Sequence, residues 1–262
     1  MIMADSVKTL ADKITSFANS KGRQRIEVMD SLLDYIIGFL DPTHKPVEGW
    51  QYKGEDNMAF WDMMAEYFSI MQRGLVHHEW YDAWGDIFMS LTTQGGGKGQ
   101  FFTPVSLCDL MAMANISDTD DFASKGIMTS FGHRITVSDP SAGSSRNLLA
   151  AHARLLHLKQ KKPYLVAEDV DAMCCKMSAV NMAVHGCFGE VVCHNTLSEP
   201  DKVRMGWIIN ETMFPFPTGV PSIRRCDDAN RLIATRLWVD RNERKEVTPP
   251  SQPKEPVQLS IF

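Results

Sequence analysis

One segment, residues 135–149, constrains the fold of this chain more than any other part of its sequence. The β-branched residues at 135–137 predict a strand, the small residues of 139–145 predict a tight turn, and a helix-forming stretch follows. Small side chains let a ligand approach the backbone of such a turn, and the first turn of a helix offers free N–H groups. The segment therefore predicts a strand-to-helix loop that binds a ligand.

The chain changes character at a glycine-rich joint, residues 95–99. Before the joint, apolar residues recur at helical spacing, so we expect a helical N-terminal domain over residues 1–95. After it, predicted strands alternate with predicted helices, which indicates an α/β fold with a parallel sheet and right-handed crossovers. The predicted strands are 134–138, 164–167, 190–193 and 206–209, and the predicted helices between them are 145–158 and 171–185.

The segment after residue 221 differs in composition from the α/β domain, which we place at residues 96–221. Residues 222–239 have room for one helix, and a polar, proline-rich stretch follows them. Such a composition predicts a flexible tail, because it offers little apolar surface to bury. The C-terminal part, 222–262, is therefore expected to be a helix followed by a tail.

Composition narrows the possible environments and partners. The net charge is −5, so a DNA-binding role requires a local basic patch or a partner subunit. The six cysteines form no C-x-x-C pair and no zinc-type spacing, so we expect no metal site, and free thiols fit a reducing cytoplasm. The N-terminus lacks the pattern of a signal peptide, and no apolar run reaches the length of a membrane helix. We therefore expect a cytoplasmic protein.

Three predicted strands end in groups that suit a nucleoside. The first ends in the turn at 139–145, the second is followed by Asp169, and the third is followed by Asn195. Ligands of open parallel sheets bind at the carboxyl ends of the strands, where a carboxylate can accept both ribose hydroxyls. Each residue also has a structural interpretation, as a helix cap, a solvated acid or a turn asparagine. Their order along the chain favours a nucleoside pocket.

With these residues in place, the chain from about 99 to 210 resembles the adenine-N6 DNA methyltransferases, especially the modification subunits of type I restriction systems. Residues 99–104 resemble the family's G-Q-[FY]-[FY]-T-P segment, 139–145 its D-P-x-x-G-[ST]-G loop, and 181–186 its N-M-x-L-H-G segment. The resemblance implies a Rossmann-like sheet that binds S-adenosylmethionine, preceded by a helical domain. It implies that the cofactor contacts Gln100, Phe101, Phe102, Thr103, Pro104, Asp139, Pro140, Ser141, Ala142, Gly143, Ser144, Asp169 and Asn195.

The catalytic segment departs from the family. Asn210 stands where the family's N-P-P-[FY] motif begins, but Glu-Thr-Met follows it, so Phe214 and Phe216 would have to stack on the adenine. Ser145 replaces a glycine of the loop, and Asn195 replaces an aspartate. The 52 residues after Asn210 are fewer than a complete sheet of that family requires. The resemblance therefore implies an adenine-specific DNA methyltransferase with a degenerate catalytic motif and a shortened domain.

The C-terminus carries a separate signal. Gln258, Leu259, Ser260, Ile261 and Phe262 resemble the Q-L-[SD]-L-F peptide that binds the bacterial DNA polymerase sliding clamp. A short peptide with apolar anchors on a flexible tether can dock in an apolar groove. The alternative structural interpretation is a terminal strand or a tail that folds back onto the protein.

Two functions from different classes therefore stay open. The first is a methyltransferase that acts on DNA with help from another subunit. The second is a non-catalytic module that keeps the cofactor fold and is recruited to DNA by its tail. A nicotinamide-dependent oxidoreductase is disfavoured, because no G-x-G-x-x-G follows the first strand of the predicted sheet.

Overall fold

The structure is a computed structural model of the 262-residue chain. It describes residues 2–43, 47, 49–93, 102–120, 122, 127–129, 132–160, 163–197, 202–211 and 220–235.

Five helices form the first part of the chain. They are α1 (Ile2–Lys21), α2 (Arg25–Leu40), α3 (Glu55–His77), α4 (Ala83–Thr93) and α5 (Val105–Asn115). The apolar stripes of the first four helices are buried, with Leu10, Ile14 and Phe60 fully inaccessible. The Gln24 side chain and Glu27 cap the start of α2 reciprocally, which satisfies backbone groups that a helix end leaves unpaired.

The second part of the chain is α/β, as predicted. A small antiparallel pair, β1 (Ile127–Thr129) and β2 (Gly132–Arg134), precedes the main sheet. The main elements that follow are β3 (Thr136–Asp139), α6 (Arg146–His157), β4 (Tyr164–Asp169), α7 (Ala172–Val184), β5 (Phe188–Cys193), β6 (Met205–Ile209) and β7 (Ile223–Arg225).

The main sheet has the order β3-β4-β5-β6-β7 and is mixed. Strands β3, β4 and β5 are parallel, whereas β6 runs antiparallel to β5, and β7 antiparallel to β6. The expectation that 206–209 continues a parallel sheet is therefore wrong. The reason is the connection from Cys193 to Met205, which is too short for the crossover that parallel strands require and contains no helix in its described part. Residues 223–225, where we expected a helix, form β7.

The sheet is covered on both faces. Alternate residues of β4 and β5, such as Leu165 and Val191, belong to a core that α6, α7 and the N-terminal helices share. The residues between them, such as Val166 and Val192, pack on residues 226–234, which run back across the other face. One apolar core continues from α1 to β6, so the helices before residue 95 and the sheet after it pack on each other.

An ion-pair cluster fastens α2 to α7. Lys176 of α7 is 7% exposed, and its ammonium group lies 2.7 Å from a carboxylate oxygen of Asp30 and 2.8 Å from one of Asp34. Burial alone would lower the pKa of Lys176, but hydrogen bonds to the two carboxylates outweigh burial and raise it. The charged form is therefore the one that holds the two helices together.

Two groups of features do not occur among the described residues. None of the described helices combines the length and the apolarity needed to cross a membrane. No three His, Cys, Asp or Glu side chains in the described ranges are grouped so as to hold a metal ion. All six cysteines lie in described segments, and they are free and buried.

Candidate functional site

Two carboxylates hold the loop between β3 and α6 in shape. Asp139 accepts a hydrogen bond from the Ser141 N–H at 3.0 Å, and Asp169 accepts one from the Gly143 N–H at 2.9 Å. The other oxygen of Asp169 accepts the Asp171 N–H at 2.8 Å. A carboxylate oxygen has a second lone pair, so Asp169 can still accept hydrogen bonds from a ligand's hydroxyl groups. The loop and the acid of the next strand therefore form one binding unit.

Gly143 is the close-approach position of the loop. Its φ is +57°, and a Cβ built there would lie 3.0 Å from the Phe102 ring. That ring packs edge-on against Phe88 at 5.6 Å between ring centroids, and the Arg146 guanidinium lies 5.5 Å from its centroid. A side chain at position 143 would displace Phe102, whose ring lies against the loop.

A pocket of about 190 Å³ lies between this loop, α7 and the segment before α5. It brings together seven of the predicted cofactor residues and three that we did not predict, Arg146, Asn147 and Cys174. The predicted members of its lining are Phe102, Thr103, Ser141, Ala142, Gly143, Ser144 and Asp169.

The other predicted cofactor residues that the structure describes are not in the lining of this pocket. Pro104 is the N-cap of α5, and the carbonyl of Thr103 before it accepts a hydrogen bond from Arg146. Asp139 and Pro140 line a neighbouring, larger pocket. Asn195 is exposed at the same sheet edge, where its side chain accepts the Leu197 N–H at 3.0 Å. Asn195 therefore acts here as a turn residue.

Ser145 adopts a left-handed backbone conformation that usually requires glycine. Its φ is +74°, in the left-handed region, and its side chain is fully buried. The Ser145 hydroxyl donates to Ser178 Oγ at 2.7 Å, and the Ser178 hydroxyl donates to the Gly143 carbonyl at 2.9 Å. Serine at this position therefore does not change the backbone region of the loop. The glycine-like turn is kept, and hydrogen bonds to α7 stabilise it.

This arrangement predicts an unusual order of stabilities. Ser145→Gly relieves about 1–2 kcal/mol of left-handed strain and loses a hydrogen bond worth about 1 kcal/mol, so stability should change little. Ser145→Ala keeps the strain and loses the hydrogen bond, so it should lower the free energy of unfolding by about 1–2 kcal/mol. Urea unfolding of both variants measures the difference. Equal stability, or a more stable alanine variant, would contradict the strained turn.

Asp82, which the sequence analysis missed, anchors the loop to the helical region. It is 1% exposed and accepts four hydrogen bonds. Ser144 Oγ and Arg146 Nε each lie 2.5 Å from Oδ2, while the Gly85 N–H and Asn181 Nδ2 lie 2.7 Å from Oδ1. The sequence around Asp82 indicates only a helix cap, because an aspartate three residues before Gly85 suits the start of a helix. Its distant partners had no such signal.

Arg146 and the segment 181–186 complete this anchor. Arg146 Nη2 lies 2.6 Å from Asp86 Oδ1. Burial would lower the pKa of Arg146, but the charges and hydrogen bonds of Asp82 and Asp86 outweigh it, so the guanidinium stays charged. His185 Nε2 accepts the Tyr81 N–H at 3.0 Å, and burial lowers the pKa of His185, which keeps this nitrogen unprotonated. The residues that resemble N-M-x-L-H-G thus hold the start of α4.

The surroundings of Cys174 in the pocket disfavour its thiolate form. Burial, together with the charges of Asp169 and Asp171, raises the pKa of its thiol. Only a thiolate is an effective sulfur nucleophile. The pocket is therefore suited to binding, and covalent catalysis by this cysteine is disfavoured.

Asn210 lies far from this pocket. Because β6 is antiparallel, Asn210 follows Ile209, which pairs with Gly189 at the start of β5. The cofactor loop is at the opposite ends of the strands, about 13 Å away along the four residues from Gly189 to Cys193. Asn210 is buried with a φ of +58°, and its side chain donates to two carbonyls and accepts the Ser222 N–H. The structure does not bring it together with the cofactor residues.

A structural role for Asn210 makes a clear prediction. Asn210→Ala removes all three hydrogen bonds of the buried amide and leaves a residue with a Cβ at positive φ, so it should lower the free energy of unfolding by about 3 kcal/mol or more. Thermal and urea unfolding measure this effect. Asn195→Ala, a change of an exposed asparagine, should stay within about 0.5 kcal/mol. An Asn210→Ala variant of unchanged stability that has lost methyl transfer would instead place Asn210 at the adenine.

Other predicted residues lie outside the described segments. These are Gln100 and Phe101 of the cofactor segment, Phe214 and Phe216 of the stacking proposal, and Gln258, Leu259, Ile261 and Phe262 of the tail.

Comparison with known proteins identifies the family. The family model for N-6 DNA methylases matches residues 81–215, which is just over half of the chain. The comparison of this chain with curated proteins and with solved structures gave no match. The matched region begins at Tyr81, next to Asp82, and includes the cofactor loop, Asp169 and α7. The chain therefore belongs to the N-6 DNA methylase family.

Proposed function

We propose that the protein binds S-adenosylmethionine and transfers its methyl group to the N6 amino group of adenine in DNA. Members of the family depend on this cofactor. The proposal rests mainly on one contact between the loop and the next strand. The Gly143 N–H donates a 2.9 Å hydrogen bond to the carboxylate of Asp169. We further propose that β3, β4, β5 and their crossover helices are the cofactor half of a Rossmann-like sheet.

The residues of the pocket suit this ligand. Asp169 has the acceptor capacity to bind ribose hydroxyls, and the backbone of 141–144 can approach the ligand because its side chains are small. Phe102 offers an apolar wall against which the methionine end can pack. When bound, the cofactor supplies an electrophilic methyl group on a sulfonium. The protein's part is to hold the acceptor nitrogen in line with that methyl group, since this reaction depends mainly on alignment.

Two measurements test the proposal. Isothermal titration with S-adenosylmethionine should show one binding site, and the lack of binding at millimolar cofactor would rule out the pocket. Transfer of labelled methyl groups to DNA of mixed sequence, followed by nucleoside analysis, should yield N6-methyladenine.

The position of Asn210 favours a second candidate function, a non-catalytic module that keeps the cofactor fold. An asparagine at the opposite ends of the strands cannot orient an adenine in the cofactor pocket without a rearrangement. Cofactor binding without methyl transfer to any DNA, even with candidate partner subunits added, would favour this function. Transfer by the purified chain would exclude it.

We also propose that the protein acts with partners, in the manner of type I modification subunits in the bacterial cytoplasm. The net charge of −5 supports help from another subunit in holding DNA. The sequence at 258–262 supports recruitment by a sliding clamp. Deletion of 258–262 should abolish co-precipitation with purified clamp, while Ser260→Ala, which keeps the apolar anchors, should not. Unchanged co-precipitation of the deletion variant would rule out the tail proposal.

A further inference from the structure

A larger pocket adjoins the cofactor pocket. Its volume is about 550 Å³, and it runs along the outer edge of β3, with which no strand of the described segments pairs. The two pockets share Ser141 and Asn147 in their linings. Most of the wall of the larger pocket is apolar and comes from α5, α6 and β3, with Met111, Ile116, Phe122, Val137 and Leu155 among its residues.

The polar end of this pocket lies where the two pockets meet. Asn147 Nδ2 donates to Asp139 Oδ2 at 3.3 Å, which fixes the orientation of the amide. Asn147 Oδ1 is buried and has no hydrogen-bond partner. A buried acceptor without a partner is unfavourable, so its presence in a residue shared by the two pockets indicates a ligand that donates to it.

From this geometry we propose that the larger pocket binds a purine base with an exocyclic amino group, whose nitrogen lies at the boundary between the pockets. Asn147 Oδ1 accepts one amino hydrogen, and the Asp139 carboxylate accepts the other. The apolar walls suit the flat faces of a heterocycle. The proposal rests on the proposed function, because the boundary is also where a methyl group on the cofactor would face the amino nitrogen. In this proposal Asn147 and Asp139 recognise the amino group of the base. Asn210 lies at the opposite ends of the strands and cannot do so.

The base can come from a DNA strand or from a free nucleoside, so we choose adenosine as the first probe. Adenosine is titrated into the full chain with S-adenosylhomocysteine at saturation, which fills the cofactor pocket. Wild type should bind adenosine at least about tenfold more tightly than purine riboside, which lacks the amino group. Asn147→Leu should weaken adenosine binding by a similar factor and leave purine riboside binding unchanged. Asn19→Leu, a matched change of an exposed asparagine of α1 outside both pockets, should alter neither ligand.

A second pair of variants locates the site without touching the cofactor residues. Met111→Trp fills the larger pocket and should abolish adenosine binding, whereas Met113→Trp, on the same helix but outside the lining, should not. An oligodeoxynucleotide with a single adenine, titrated in the same way, tells whether a DNA base or only the free nucleoside is accepted. Stronger binding of the oligonucleotide supports a DNA base, and a preference for adenosine supports the nucleoside.

Three results would overturn the inference: equal binding of adenosine and purine riboside, an Asn147→Leu variant that keeps the preference, or adenosine binding that survives Met111→Trp. These outcomes are distinguishable from failure of the proposed function, which is measured by titration of S-adenosylmethionine alone. A protein that binds cofactor but no purine in the larger pocket would keep the function and lose the inference.

Discussion

Asp82→Asn is expected to lower the free energy of unfolding by about 3–5 kcal/mol, because it leaves the buried Arg146 without its closest counter-charge. Asp82 is 1% exposed, and each of its oxygens accepts two hydrogen bonds. An asparagine amide group would direct N–H bonds toward two of those four donors. Urea unfolding measures the loss, and titration should show weaker cofactor binding, since Ser144 of the loop depends on Asp82.

Asp86→Asn is the matched control for this prediction. Asp86 also pairs with Arg146, at 2.6 Å, but its side chain is 44% exposed. Water can replace the lost interaction there, so we expect a loss below about 1 kcal/mol. Similar effects of the two substitutions would contradict the larger contribution that we assign to the buried Asp82.

The strand-to-helix loop could be predicted because its signals are local. Residues 135–145 carry their β-branched run, small residues and helix start in consecutive positions, and the structure confirms a strand, a turn and a helix there. Asp169, which the sequence places directly after the second strand, accepts a hydrogen bond from this loop, since parallel strands bring their carboxyl ends to one edge of the sheet. Phe102, predicted from the resemblance, packs on Gly143.

What could not be predicted depends on contacts between distant segments. Asp82 is separated from Arg146 by 64 residues and from Asn181 by 99, and no periodicity along the chain links them. The reversed direction of β6 also escaped prediction, because an apolar run such as 206–209 has no intrinsic direction within a sheet. The length of the preceding connection sets the direction of β6. That direction decides at which end of the strands Asn210 lies.

The helical region is therefore part of the site and not only an appendage. Asp82 and Asp86 belong to it, and through Arg146 and Ser144 they fix the position of the loop between β3 and α6. Asn181, in a segment shared with the family, supports both Asp82 and the Ser144 carbonyl. A truncated protein that began after residue 95 would lack the contacts of Asp82 and Asp86, and its loop would lose the groups that orient it.

Asp169→Asn is expected to weaken S-adenosylmethionine binding about 100-fold or more, because a charged acceptor of ligand hydroxyls is lost along with an acceptor for the loop backbone. The Gly143 and Asp171 N–H groups each bond a separate oxygen of Asp169, and an amide has only one oxygen to offer. One N–H therefore loses its partner, and the loop should loosen. Isothermal titration measures the affinity, and urea unfolding should show a parallel loss of about 1–3 kcal/mol.

Asp171→Asn is the control that removes one negative charge near the loop and leaves the Asp169 carboxylate in place. Asp171 lies two residues from Asp169, and its side chain caps α7 by accepting the Met173 N–H at 2.8 Å. Asparagine caps helices about as well as aspartate, so this variant should keep both stability and cofactor affinity. If both variants weakened binding alike, the general negative potential at this edge would be responsible. If only Asp169→Asn did so, the carboxylate that joins β4 to the Gly143 loop is the group that holds the cofactor.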